Sequence, residues 1–187
     1  NNTIFVAMGE KILFNHKELD LSLNRLCWQL IENHCGFENT VLIGMQPRGY
    51  FLAQRIQERL LELTSVKEIS LGSLDITFFR DDFRRRDEPV VANQTDINFL
   101  VEGKNVIFID DVLYTGRSIR AGMDAINSFG RPQQIELLVL IDRRFSRELP
   151  IEPNYVGKTV DAIDTEKVLV EWSDTNNKND LVRLIRE

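Results

Sequence analysis

One strand-to-helix junction, residues 106–126, constrains this chain more than any other part of it. The junction opens with four consecutive apolar residues, 106–109, which is typical of a strand buried on both faces of a parallel sheet. Asp110 and Asp111 follow directly, and apolar residues at helical spacing begin again at Ile119. Because ligands of open α/β sheets bind at the carboxyl ends of the strands, the sequence predicts an α/β fold with a ligand site here.

Four residues, Thr115, Gly116, Arg117 and Ser118, connect the strand to the helix; we call residues 115–118 the phosphate loop. A helix N-terminus has unpaired N–H groups and a partial positive charge, so phosphate groups bind there readily. Gly116 permits a close backbone approach, and the hydroxyls of Thr115 and Ser118 are further donors. The junction therefore combines a phosphate cradle with two carboxylates that suit sugar hydroxyls or a magnesium ion.

Two other classes of protein carry acidic residues after a buried strand. A phospho-acceptor receiver domain has its acidic pair near the N-terminus, whereas the pair in this chain lies past the middle. A P-loop enzyme needs G-x-x-x-x-G-K-[ST], and the nearest segment, Gly157-Lys158-Thr159, has Glu152 where the first glycine belongs. Position and spacing therefore argue against both classes.

The strand followed by Asp-Asp-Val-Leu-Tyr-Thr-Gly-Arg-Ser resembles the phosphoribosyl diphosphate (PRPP) motif of type I phosphoribosyltransferases. Its continuation through Gly130-Arg131-Pro132 resembles one branch, the bifunctional pyrimidine-operon attenuation regulators and uracil phosphoribosyltransferases (PyrR). The resemblance spans most of the chain and implies a central, mostly parallel sheet flanked by helices, with a small hood and a flexible lid loop. It implies one domain over residues 1–187, with the lid at about 80–98 and the hood at about 143–160.

The resemblance also implies a reaction, in which uracil displaces diphosphate from PRPP and forms UMP, with Mg²⁺ as a cofactor held mainly through the substrate. The 5′-phosphate would lie on the phosphate loop, and the two aspartates would hold the ribose hydroxyls. The segment that would contact PRPP consists of Asp110, Asp111, Val112, Leu113, Tyr114, Thr115, Gly116, Arg117 and Ser118.

A second strand, loop and helix surround Pro47, Arg48 and Gly49, so their loop is expected at the same sheet edge as Asp110. Taken alone, Arg48 would be an arginine in a surface turn, but its place in a second such loop favours a contact to diphosphate. In the resembled family this loop carries Thr-Arg-Gly. Arg48 and Gly49 therefore match the family, whereas Pro47 replaces a hydroxyl donor.

The remaining site residues follow from the resemblance. The long charged segment from Arg80 to about residue 98 is typical of a lid, and Arg80 would contact diphosphate. Arg143 and the backbone near Val168 would form the base pocket. The hood residues favour uracil over a purine base, which remains a less favoured alternative.

The alternative to an enzyme is an RNA-binding regulator of pyrimidine genes that senses uridine nucleotides. A net charge of −6 weighs against generic nucleic-acid binding. Family members that bind RNA use three positions of the first helix, which are Asn24, Arg25 and Trp28 in this chain. Thr and His are usual at the first and third positions, so only Arg25 is retained. An exposed Trp28 could stack on an RNA base or pack against a second subunit of a homo-oligomer. We therefore expect an enzyme first, with RNA binding lost or altered.

Three further expectations concern the environment and the local structure. No apolar run is long enough to cross a membrane. Cys27 and Cys35 would lie about 12 Å apart on a helix, too far for a disulfide, so free thiols and a cytoplasmic protein are expected. Asp20 is predicted to cap the first helix, and residues 68–79 to form the third strand.

Overall fold

The computed structural model describes residues 10–79, 94–163, 165–173 and 179–186. In these ranges three α-helices are interspersed with the strands as far as residue 126, and the remaining strands follow. The strands and helices are β1 Glu10–Phe14, α1 His16–Asn33, β2 Thr40–Met45, α2 Arg48–Leu63, β3 Leu71–Leu74, β4 Asn105–Leu113, α3 Arg117–Ile126, β5 Gln134–Arg144, β6 Tyr155–Asp161, β7 Glu166–Glu171 and β8 Leu181–Arg186. The predicted lid falls largely on residues 80–93, outside the described residues, and so does Arg80.

The main sheet has five strands in the order β3-β2-β4-β5-β6, and every neighbouring pair is parallel. Helices cover both faces, since alternate residues of β4 enter two different cores. Ile107 and Ile109 pack with α1 and α2, whereas Val106 and Phe108 pack with α3. The predicted parallel sheet flanked by helices is therefore confirmed.

A second, antiparallel sheet of three strands has the order β1-β8-β7. It joins the two ends of the described chain, so the N-terminal segment is an edge strand and the C-terminal segment is a strand. Residues 155–161, which overlap the end of the hood expected at about 143–160, form β6 at the edge of the main sheet. Gly157 allows this close pairing, since a Cβ there would lie 2.4 Å from the carbonyl oxygen of Leu140.

Helix α1 begins four residues before the predicted cap. Asn15 is the observed N-cap: its side chain accepts from the Glu18 amide at 3.0 Å, and the Glu18 carboxylate accepts from the Asn15 amide at 2.9 Å. This reciprocal capping box satisfies two amides at once. Asp20 instead pairs with Arg59 at 2.8 Å, so its prediction as the N-cap is wrong.

The third strand is shorter than predicted. It ends at Leu74, and a 3₁₀ turn, Thr77–Phe79, follows. The Asp75 carboxylate accepts from the amide and the hydroxyl of Thr77, at 3.0 and 2.6 Å. Such local side-chain bonds favour turns over strands, and here they end β3.

The two cysteines are both free, as expected, and they lie in opposite environments. Burial raises the pKa of the Cys27 thiol to about 12, whereas Cys35 is exposed.

Because the thiolate is the reactive form, we expect a thiol reagent at pH 8 to modify only Cys35 in the native protein and both cysteines in denaturant. Cys35→Ser should abolish the native reaction. A second fast thiol in the native state would contradict the buried position of Cys27.

A buried polar network lies at the amino-terminal end of the main sheet. The Tyr155 hydroxyl donates to Glu136 Oε2 at 2.7 Å, and His34 Nε2 lies 2.9 Å from the same oxygen. The Asn33 amide donates to the Tyr155 hydroxyl at 3.0 Å, and Thr40 Oγ1 lies 3.1 Å from His34 Nδ1. The network joins the end of α1 to the starts of β2, β5 and β6.

Burial raises the pKa of Tyr155 from 10.0 to about 12. The folded protein therefore favours the protonated phenol, and this contribution to stability is full below pH 10 and is lost as the pH rises towards 12. We expect the free energy of unfolding in urea to fall more steeply across this window in the wild type than in Tyr155→Phe. Tyr114→Phe, at a part-exposed tyrosine, is the control. Parallel curves for wild type and Tyr155→Phe would contradict the prediction.

Candidate active site

The phosphate loop begins directly after β4 and continues into the first turn of α3. Gly116 is the N-cap residue of α3, with a φ of +89°, a left-handed conformation that favours glycine. The loop lies around a cavity of about 180 Å³. The cavity is lined by Asp110, Val112, Leu113, Tyr114, Thr115, Gly116, Arg117, Ser118 and Ile119. All of the predicted residues of this segment except Asp111 therefore line one cavity.

Two backbone amides of the loop have no acceptor in the part of the chain that the structure describes. The amides of Thr115 and Gly116 donate no hydrogen bond to any described residue. The Arg117 amide donates to the Thr115 hydroxyl, at 3.3 Å. Amides at a helix N-terminus that lack partners are the groups that bind phosphate.

The two aspartates lie beside this cavity in a poorly hydrated position. Asp111 is buried, and its Oδ2 has no hydrogen-bond partner among the described residues. Asp110 Oδ1 accepts from the Asp111 amide at 3.0 Å. Burial raises the pKa of both carboxyl groups, and the neighbouring carboxylate raises the pKa of Asp110 further. An unpaired buried oxygen requires a donor or a cation, which a ligand would bring.

The second loop reaches the same edge of the sheet, as expected. A Cβ on Gly49 would lie 2.4 Å from the Ile109 carbonyl oxygen and 2.9 Å from Asp110 Cα, so α2 starts directly against β4. The positive charge of Arg48, the residue before Gly49, opposes the rise in pKa of both aspartates. Pro47 is the N-cap residue of α2 and makes no side-chain capping bond, consistent with the missing hydroxyl.

The predicted base-pocket residues lie on different sheets. Arg143, near the end of β5, is buried; its guanidinium lies 4.1 Å from the centre of the Tyr114 ring and donates to the Ile163 carbonyl at 3.1 Å. The side chain of Val168 is buried on β7. In the described sheets β7 pairs only with β8, so β7 is an edge strand of its sheet. Arg143 therefore connects the Tyr114 end of the cavity to the turn before β7.

Residues 148–151 contact the phosphate loop, and the sequence analysis does not predict this contact. Leu149 and Ile151 lie against Gly116, where a Cβ would meet them at 3.5 and 3.2 Å. The amides of Glu148 and Leu149 donate to the carbonyl of Thr115. No local pattern indicates this contact, because it joins residues more than thirty positions apart.

The three residues considered for RNA binding differ in what holds them. Asn24 Oδ1 accepts from Arg59 at 2.9 Å. Arg25 donates to the carbonyls of Val156 and Gly157, at 2.9 and 2.7 Å, and so attaches α1 to β6. Only Trp28 is half-exposed without a described polar contact. The side chains of Asn24 and Arg25 therefore already form hydrogen bonds within the fold, whereas that of Trp28 does not among the described residues.

The aspartate pair also fits a hard cation. Carboxylate oxygens, one of them unpartnered and buried, are ligands that Mg²⁺ accepts. Among the described residues no group of three or more His, Cys, Asp and Glu side chains could hold a metal. A magnesium ion at this edge would therefore need most of its ligands from a substrate and water.

In the described part of the chain, no helix has the length and apolar character to span a membrane.

Comparison with known proteins gives consistent results. Residues 10–174 match the phosphoribosyl transferase domain family. The chain is 42% identical over 167 residues to the bifunctional protein PyrR of Enterococcus faecalis, covering 89% of this chain and 92% of that protein. It is 41% identical over 175 residues to the bifunctional protein PyrR of Listeria monocytogenes, covering 91% and 94%. The fold is similar to that of the hypoxanthine phosphoribosyltransferase of Trypanosoma cruzi in complex with IMP, with a TM-score of 0.68, 18% identity and coverage of 95% and 91%.

Proposed function

The chain belongs to the phosphoribosyltransferase family and, within it, to the bifunctional PyrR proteins, and from this premise we propose that it transfers the phosphoribosyl group of PRPP to uracil, giving UMP and diphosphate. One observation carries the proposal. Loop amides and a buried carboxylate oxygen that have no partner among the described residues lie at one sheet edge with Arg48. These are the groups needed for a phosphate, a ribose and a diphosphate.

In the proposed complex the amides of Thr115 and Gly116 bind the 5′-phosphate. Asp110 and Asp111 accept hydrogen bonds from the ribose hydroxyls, which supply the missing partner of Asp111 Oδ2. As the bond to diphosphate breaks, positive charge develops at C1 of the ribose. The ionised aspartates stabilise this charge and keep the ring in place.

Arg48 donates charge-assisted hydrogen bonds to the leaving diphosphate, and we propose the same role for Arg80. Arg143 and the backbone of β7 near Val168 orient uracil. No strong base is required, because alignment of the two substrates and stabilisation of the leaving group lower the barrier. Asp110 and Asp111, together with the substrate, would hold Mg²⁺, which would supply neutralising charge for the diphosphate.

The test is Mg²⁺- and PRPP-dependent turnover with uracil, beside hypoxanthine, guanine and orotate. We expect UMP formation with uracil and at least about 100-fold lower kcat/KM for the other bases, because unmatched polar groups in a base pocket cost that much or more. Turnover with another base would retain the PRPP site and contradict the base pocket. No turnover with any base would contradict the proposed enzyme.

A second function is favoured by the relatives, which are named as bifunctional, and the sequence resemblance implies that it is regulation of pyrimidine genes through RNA. We propose that RNA binding is weakened in this chain, because Asn24 and Arg25 bind other parts of the fold. In a mobility-shift titration at 150 mM salt, a pyrimidine leader RNA and its scrambled control should bind with similar, weak affinity. Tight binding of the leader alone, lost in Trp28→Ala, would contradict this proposal.

We also propose a homo-oligomer in the cytoplasm. Two half-exposed apolar side chains, Leu21 and Trp28, occur seven residues apart on α1, hence on one face of the helix. The two free thiols are compatible with a reducing compartment. Light scattering after size-exclusion chromatography would measure the mass, and a monomer at micromolar concentration would contradict the oligomer.

A further inference from the structure

The segment Arg147, Glu148 and Leu149 holds two carbonyl groups at the phosphate loop. Arg147 Nη1 donates to the carbonyl of Tyr114 at 2.6 Å. The amides of Glu148 and Leu149 both donate to the carbonyl of Thr115, at 3.0 and 3.2 Å. Three donors from one segment therefore fix two successive peptide units where the strand gives way to the helix.

The orientation of these carbonyls determines where the next amides point. In a trans peptide the C=O and the following N–H point in opposite directions. The Tyr114 carbonyl faces Arg147, so the Thr115 amide points away from that segment. The Thr115 carbonyl faces residues 148 and 149, so the Gly116 amide also points away. Neither of these two amides donates to a described residue.

Arg147 is itself fixed to the sheet. Its Nη2 forms an ion pair with Asp142, near the end of β5. Both side chains are largely buried, with exposed fractions of 23% and 14%, so solvent screens this pair less than a surface pair. A second, more exposed pair joins Arg117 to Glu148 at 2.5 Å. Arg147 thus connects the central part of the fold to the loop through one guanidinium.

We propose that Arg147 is a positioning residue that orients the Thr115 amide of the phosphate loop towards the ligand's phosphate group. This inference rests on the proposed function, since it concerns the 5′-phosphate of that same site. Arg147 acts through the carbonyl of Tyr114 and does not contact the phosphate. Its loss would release the first peptide unit, and the Thr115 amide would lose its fixed direction.

Three variants test the inference. Arg147→Met removes both the hydrogen bond and the ion pair, whereas Arg147→Lys keeps a positive donor. Arg144→Met is the matched control, because Arg144 is the nearby exposed arginine and pairs with Asp161 at 2.7 Å, away from the loop. Melting temperatures identify any variant that fails to fold. Affinities for UMP and uridine, measured by calorimetry, separate a phosphate-specific effect from a general one, since the two ligands differ only in the phosphate.

We expect Arg147→Met to weaken UMP binding at least about tenfold, since hydrogen bonds to charged groups have effects of this size. Uridine affinity should stay within about twofold of wild type, Arg147→Lys should be intermediate, and Arg144→Met should bind both ligands normally. Equal losses for UMP and uridine, or unchanged UMP affinity in Arg147→Met, would overturn the inference alone. Wild-type protein that binds UMP no better than uridine would overturn the proposed function and this inference with it.

Discussion

Replacement of Asp111 by asparagine is expected to lower kcat/KM for PRPP by at least about 100-fold, the loss typical of removing one preorganised electrostatic contact. Asparagine keeps the size of the side chain but removes the negative charge. It also replaces one acceptor oxygen with a donor. The buried Oδ2 that lacks a described partner is the atom through which the carboxylate would meet the ribose, so the change acts on the transition state directly.

The same substitution is expected to leave the protein as stable as wild type or more stable. Burial raises the pKa of Asp111, so the fold favours its protonated form, and this contribution to stability is lost as the pH rises from the unfolded to the folded pKa. At neutral pH the charged carboxylate therefore destabilises the folded state, and neutral asparagine relieves that effect. A variant that melts no lower than wild type yet turns over poorly would separate the chemical loss from unfolding.

The control for this prediction is Asp124→Asn. Asp124 lies on α3, exposed, and pairs with Arg120 at 3.8 Å, a surface pair that contributes little. Its variant should keep turnover within about twofold and stability within about 0.5 kcal/mol of wild type. If Asp111→Asn kept more than a tenth of wild-type kcat/KM, the assignment of this carboxylate to the ribose would be wrong.

The parts of the fold that the sequence predicts are those controlled by local pattern. Residues 106–109 are apolar without interruption because β4 lies between two helix layers, and such burial produces a continuous apolar run. The carboxyl ends of β2 and β4 must then meet at one edge. The strand pattern alone therefore predicts that the loops of Arg48 and Asp110 lie at the same site.

The parts that the sequence misses depend on competition or on distant contacts. Asn15 and Asp20 are both good N-caps, but only Asn15 has glutamate three residues later, and this second residue of the capping box decides between them. The strand pattern of residues 155–161 contains no information about which sheet it joins. Likewise, the contact of Arg147 with Tyr114 spans thirty-three positions, and no periodicity indicates it.

Replacement of Gly49 by alanine is expected to cause the second large loss. Alanine is favoured over glycine in a helix by about 1 kcal/mol, so propensity alone would predict stabilisation. However, the new Cβ would lie 2.4 Å from the Ile109 carbonyl oxygen and 2.9 Å from Asp110 Cα. Both are backbone atoms of a buried strand and cannot turn aside, so α2 has to move. Overpacking of this kind costs roughly 1–3 kcal/mol or more, which exceeds the gain in propensity.

The movement matters for catalysis because α2 carries Arg48 as its first residue. A displacement of about 1 Å at a reacting centre can lower the rate about 100-fold, so kcat/KM for PRPP should fall to that extent in Gly49→Ala. Gly122→Ala is the matched control on α3: its nearest neighbour is the flexible end of Met45, at 2.7 Å, which can rotate away. The turnover and the free energy of unfolding in urea should therefore be near wild type in Gly122→Ala, and both should be lower in Gly49→Ala. Equal behaviour of the two variants would mean that contact between α2 and the Asp110 backbone does not set the position of Arg48.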